Sequence, residues 1–349
     1  MSAVSDETGA GVETQRPSLF EKGYIMKKSV KGKEKYLVAL FLVLIVSILL
    51  SLFVGRFQGP LLSVPKSILI NIRLPRIILA CLIGFSLSVS GCVFQNVFHN
   101  ALASPDFLGA SSGACFGAAL AILMHIPSNL IFLVAFFFGI FTIFAVYAMS
   151  MAIKGNRTVT LLLVGMIISA IFSAGTSFIK LLADPANELP SITYWLMGSL
   201  NNTTYKNVLA AFIPMLVGAV PLFFLRYRIN LLSLSDEEAQ SMGINTNRLR
   251  FIVIVCATLL TAASISAGGM IGWVGLIIPN ICRKVFGNNC THLIPASALS
   301  GAAFLLVSDD ISRSVLASEI PIGIITAVIG APVFLYIIIS YSRKDNNHA

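Results

Sequence analysis

Long apolar runs, broken by short clusters of charge, proline or glycine, govern the chain from residue 36 onward. A run that excludes charge for about 20 residues is long enough to cross a bilayer as a helix. Six runs of this kind fill the first two-thirds: Tyr36 to Val54, Leu74 to Phe98, Phe107 to Leu123, Asn129 to Ile153, Thr158 to Ile179 and Val208 to Leu225. Phe251 to Cys282 then continues for 32 residues without one charge, too long for a single span and short for two ideal ones. Gly268, Gly269, Gly272 and Gly275 in its middle, with Pro279 behind them, predict a break into a seventh span and a short eighth. Leu293 to about Leu316 and Ile322 to Tyr341 complete ten.

Composition supports an all-α, polytopic membrane protein. The chain is 56% hydrophobic with mean hydropathy +0.88, and only 11% of its 349 residues are charged, where a soluble domain carries roughly 25%. That excludes a soluble enzyme, a disordered chain and a disulfide scaffold. Lys and Arg test the span count, because cytoplasmic loops hold the excess of them. With a cytoplasmic N-terminus and ten spans, 17 fall inside and 7 outside; fusing spans seven and eight leaves 14 against 10. Ten spans therefore fit better, with both termini cytoplasmic. Residues 1–35 are expected as a disordered cytoplasmic tail, 36–343 as the transmembrane domain and 344–349 as a second tail. Five spans per half put the halves in opposite orientation, as in inverted-repeat transporters. Cys81, Cys92, Cys115, Cys256, Cys282 and Cys290 form no CxxC pair and read as small packing residues.

No segment carries the spacing of a catalytic or metal site. A P-loop, HExxH and G-x-S-x-G are all absent, and His99, His125, His292 and His348 are scattered. We therefore expect no catalytic residue, no bound metal and no cofactor. Gly109, Gly113 and Gly117 form a ridge that suits close helix packing. Gly165, Ser169, Ser173 and Ser177 make a small, weakly polar stripe on the fifth span, which fits either helix packing or a water-filled path. Between spans six and seven, Ser235 with Glu238 forms a capping box, Asp236 and Glu237 favour a helix N-terminus, and Gly243 suits a C-terminal stop. The result is a short cytoplasmic surface helix over 235–243, either a solvated connector or a lever for a soluble partner. Arg73, Arg76 and Arg313 stand outside against the charge bias. They suit snorkelling, with Asp309 pairing Arg313 at i,i+4, or gripping carboxylates of an external protein.

From about Lys66 to Arg343 the chain resembles the FecCD-type permease family of type II ABC importers for iron-siderophores, haem and cobalamin. The resemblance rests on Arg73-Leu74-Pro75-Arg76, Pro105 to Gly113, Tyr194 to Leu200, Leu231 to Gly243, Gly272 to Pro279, Ser308 to Arg313, and Pro321 to Ala327 with Gly330-Ala331-Pro332. One departure is Asn100-Ala101-Leu102-Ala103, where the family usually has Asn-Pro-Leu-Ala. The resemblance implies a permease in a bacterial cell membrane, paired with a second permease subunit, identical or homologous. Two cytoplasmic ATPases and an external substrate-binding protein complete the assembly. Arg73, Arg76 and Arg313 fall where the family docks the binding protein, Ser235 to Gly243 on the helix that contacts the ATPase, and the fifth span on the path lining. An ion-gradient-driven secondary transporter is the alternative. It would want acids near the bilayer midplane, whereas Asp309 and Asp310 lie toward the outer end of the ninth span.

Overall fold

The computed structural model describes residues 19–55, 65–153, 157–201, 203–233, 243, 245–316 and 318–346. Among these, every regular element is a helix. We number them α1 (Leu19–Phe53), α2 (Lys66–Val97), α3 (Ala110–Leu123), α4 (Ser128–Ala152), α5 (Arg157–Leu182), α6 (Glu188–Leu196), α7 (Tyr205–Ile229), α8 (Thr246–Gly268), α9 (Val274–Phe286), α10 (Cys290–Ser314) and α11 (Ile322–Asn346). Eight of these are long and apolar enough to cross a membrane. The shorter α3 and α9 occupy the places of the third and eighth expected spans. α1 begins at Leu19, inside the stretch assigned to the tail, and its apolar part is Gly32–Phe53.

Two details depart from the sequence pattern for local reasons. α2 starts at Lys66, eight residues ahead of the expected Leu74, and passes through a π-helical turn at Leu69–Arg73. Pro75 stands two residues beyond it; its ring lacks an amide hydrogen and crowds the carbonyl four residues back, so a widened turn lets the helix continue. α6 is a short helix between the fifth and sixth expected spans, where the hydrophobic pattern marks no element.

α2 is the hub, with 78% of its spanning window buried, against 72% for α8, 61% for α10 and 6% for α1. Its neighbours approach through glycine. A Cβ on Gly84 would stand 2.2 Å from the Gly301 carbonyl of α10, and one on Gly91 would stand 1.8 Å from the Gly275 carbonyl of α9. Backbone therefore packs directly on backbone, the small-residue solution for membrane helices. The Gly113 and Gly117 ridge does the same for α3 on α4, meeting Thr142, Phe138 and the Val134 carbonyl. The predicted break falls between α8 and α9, where Gly269 takes φ +74°. The cysteines are free thiols, four of them buried among packed side chains.

Candidate functional site

At the Lys66 end of α2, charged side chains from α2, α10 and the loop that holds Glu319 meet Ser51 and the Leu52 carbonyl of α1. Arg76 donates from Nε to both Asp309 carboxylate oxygens (3.1 and 3.0 Å), from Nη2 to Asp309 (2.9 Å) and from Nη1 to Glu319 (2.9 Å). Arg313 donates to the Ser51 carbonyl (2.8 Å) and hydroxyl (2.6 Å) and pairs with Asp310. Its Nε lies 3.8 Å from Asp309, the i,i+4 pair expected from sequence. Arg73 donates to the Leu52 carbonyl, and Ser51 Oγ donates to Asp310 at 2.7 Å. All three arginines are buried, and Asp309 is fully so. Three guanidiniums among three carboxylates leave no net charge, and buried charge is tolerated only when compensated in this way. Sequence reasoning named these arginines but missed Ser51 and Glu319; no local pattern marks either.

The stripe on α5 divides. Gly165 is buried against the 3₁₀ turn Pro105–Leu108, where a Cβ would stand 2.3 Å from the Phe107 carbonyl. Ser169 is half-buried beside Gly109 and donates to the Gly165 carbonyl at 2.8 Å. Ser173 and Ser177 are exposed, and the Ser177 hydroxyl returns to the Ser173 carbonyl at 3.0 Å. Packing thus occupies the Gly165 half of the stripe, while Ser173 and Ser177 are exposed.

At the other end of α2, polar contacts tie the connections together. Gln95, buried, accepts from Arg283 Nη2 (2.9 Å) and donates to the Leu276 carbonyl (3.1 Å). Arg283 Nη1 donates to Asn280, whose amide donates to the Ala101 carbonyl at 2.8 Å. The loop in which Ala101 stands for proline is thereby held by a side chain of α9. Of the 235–243 segment, Ser235, Asp236, Glu237 and Glu238 lie outside the described residues. Gly243 stands in a turn at φ +77°, the conformation expected of a helix stop. It borders a cavity of about 440 Å³ whose other lining residues include Leu225, Arg228, Arg248 and Ile252.

Comparison with known proteins places this geometry. The model of the FecCD transport family matches residues 42–340. The chain belongs to that family. A probable iron chelatin transport system permease of Helicobacter pylori is 45% identical over 277 residues, covering 79% of this chain and 84% of the relative. The molybdate import permease of Haemophilus influenzae is 36% identical over 90% of this chain and 98% of its own length. A solved structure described as a metal-chelate type ABC transporter in an inward-facing conformation superposes with TM-score 0.83 at 37% identity, covering 88% of this chain and 99% of that one. Such relatives are permeases, with ATP hydrolysis left to a separate subunit.

Within the FecCD region, two of the resemblance segments, Tyr194 to Leu200 and Pro321 to Ala327, converge on the end of α8. Ser199 N–H donates to the Gly268 carbonyl (2.9 Å), Ile322 N–H to the Gly198 carbonyl (2.9 Å) and Gly323 N–H to the Met197 carbonyl (3.2 Å). This joint of loop backbone lies beside Ile83 of α2, inside the span. Irregular backbone survives at such depth when protein satisfies its polar groups. Gly198 and Gly269 both hold left-handed φ there, and a Cβ on Gly269 would stand 2.4 Å from the Trp195 carbonyl.

Proposed function

We propose that the chain is the membrane-spanning permease subunit of an ATP-driven, binding-protein-dependent importer of an iron(III) chelate. It works with a second permease subunit, two cytoplasmic ATPases and an external binding protein, in a bacterial cell membrane with both termini cytoplasmic. The observation that carries this reading is the near-complete superposition on the metal-chelate type transporter, supported by the iron chelatin relative. The Fe(3+)-citrate import permease of Bacillus subtilis, 35% identical over 92% of this chain, points to the same substrate class.

Within that reading the Arg76 end of α2 faces outward and the His99 end faces the cytoplasm, in keeping with the Lys and Arg distribution. The binding protein docks over Arg73, Arg76 and Arg313. Because these arginines already hold internal partners, its carboxylates exchange with Asp310 and Glu319 rather than fill vacant donors. Ser173 and Ser177 border the path. The 235–243 segment contacts the ATPase. An ion-coupled transporter would need a titratable group at mid-depth; Asp309 is instead consumed by Arg76. The test is affinity purification of the tagged chain from its own membrane, followed by uptake of ⁵⁵Fe(III)-citrate into vesicles. A co-purifying ATPase and uptake requiring ATP and binding protein support the importer. Uptake driven by a proton gradient through this chain alone would overturn it.

A further inference from the structure

α2 ends in a turn that normally calls for glycine. Asn100 N–H returns to the Gln95 carbonyl (3.1 Å) and His99 N–H to the Asn96 carbonyl (3.3 Å). These are the paired bonds of a Schellman turn, whose left-handed position is filled most often by glycine. Here His99 fills it, at φ +50°. A side chain bearing a Cβ is disfavoured in that conformation, so something else must hold it there. The His99 Nε2–H donates to the Leu232 carbonyl at 2.7 Å, across 133 residues of sequence. Leu232 belongs to the 3₁₀ turn Asn230–Ser233, from which the chain leaves for the 235–243 segment. The same turn is pinned on its other side, where Asn230 Nδ2 donates to Asn289 Oδ1 (3.0 Å) and Cys290 N–H donates to Asn230 Oδ1 (2.7 Å).

α3 repeats the device at the opposite end of the bundle. Ile126 N–H returns to the Ala121 carbonyl (2.9 Å), His125 N–H to the Ile122 carbonyl (3.0 Å), and His125 holds φ +56° while its Nδ1 lies 3.5 Å from Glu188 Oε1. In both turns the histidine spends backbone comfort on reaching a different segment of the chain.

We propose that His99 is a positioning residue of the importer. It ties the root of the ATPase-contacting segment to the end of α2, whose spanning window is the most buried of the eight, so that a push on the segment reaches the hub rather than a loose loop. The proposal rests on the reading of 235–243 as the ATPase contact. A segment whose root is already placed loses less freedom when the ATPase binds, so the tether appears as affinity.

The test measures two quantities on the full-length chain in lipid nanodiscs: its melting temperature, and its apparent dissociation constant for the ATPase that co-purifies with it. His99→Gly suits the left-handed turn but removes the donor. It should keep or raise the melting temperature while weakening ATPase binding about fivefold, the factor that one hydrogen bond commonly supplies. His99→Gln places an amide nitrogen where Nε2 was; it should melt lower, yet recover most of the affinity. Stability and affinity thus move in opposite order, which a residue that merely caps a helix cannot produce. Unchanged ATPase affinity in His99→Gly, or affinity that simply follows melting across the two variants, overturns the proposal. Glu237→Lys with Glu238→Lys separates it from the reading beneath. If that variant loses the ATPase while His99→Gly does not, only the tether fails; if neither loses it, both fail.

Discussion

Replacing Arg76 by Met removes one partner from a buried charge cluster and leaves its size nearly unchanged. The Arg76 side chain is 9% exposed and Asp309 is 0% exposed. Stranding one partner of such a pair costs about 3–5 kcal/mol, because the remaining charge stays desolvated. Arg313, 3.8 Å from Asp309, retains part of the compensation, which favours the lower end, about 3 kcal/mol. For a chain of this size each kcal/mol moves the melting temperature by roughly 2 °C, so Arg76→Met should melt about 6 °C below wild type. Adding Asp309→Leu removes the stranded carboxylate and should restore most of that loss, since a hydrophobic pair often replaces a buried ion pair at little cost. The assay is thermal unfolding of the purified chain in nanodiscs, followed by reaction of its buried cysteines with a fluorogenic maleimide. An Arg76→Met melting point within 1 °C or so of wild type, with no gain from the second substitution, would refute the argument that this arginine first serves the fold.

Arg73→Glu should weaken binding-protein association at least tenfold while leaving ATPase assembly intact, since its carboxylate repels those of the incoming partner; surface plasmon resonance on folded complex reads this directly. Glu237→Lys with Glu238→Lys should lower ATPase co-purification without changing the melting of the membrane domain, and normal recovery of ATPase would remove that segment from the interface. In a background with the native cysteines replaced, Ser173→Cys should react with a membrane-impermeant thiol reagent in at least one nucleotide state, while Ser169→Cys, half-buried beside Gly109, should react far more slowly. Equal protection of both would leave plain helix packing as the role of the whole stripe. Gly91→Val, which sets a side chain on the Gly275 carbonyl, should cost about 3 kcal/mol or more and be seen as lost monodisperse protein in size-exclusion chromatography.

The spans were legible because lipid enforces a pattern on consecutive residues: twenty positions must all be apolar, and a reader needs no tertiary knowledge to see it. The break at Gly268 and Gly269 was legible for the same reason, since a charge-free run of that length has to fold back somewhere. α6 was not. Its sequence Glu188 to Leu196 mixes polar and apolar positions and carries Pro190, which reads as a breaker although proline is at home in a first helical turn. The π-turn before Pro75 was hidden by the same residue read the same way. Gly84 and Gly301 went unnoticed because neither belongs to a four-residue glycine repeat; only the crossing of α2 and α10 turns them into a contact.

The arginines teach the sharper lesson. Arg73 and Arg76 have no acid within a helical turn of them, and that invited two explanations, escape to the interface or a partner on another protein. A third follows from the same observation. A guanidinium buried on a membrane-spanning helix has to find a carboxylate at its own depth. The spanning segments offer few: Asp309 and Asp310 are the acids of the ninth expected span and lie near its outer end, the level at which Arg76 opens the second. Matching charge to charge by depth, across 233 residues of sequence, points Arg76 to the Asp309–Asp310 pair, and the structure selects Asp309 with a 2.9 Å contact. In a membrane protein the rarity of charge makes each one informative about another, because the dielectric penalises every guanidinium or carboxylate that lacks its opposite.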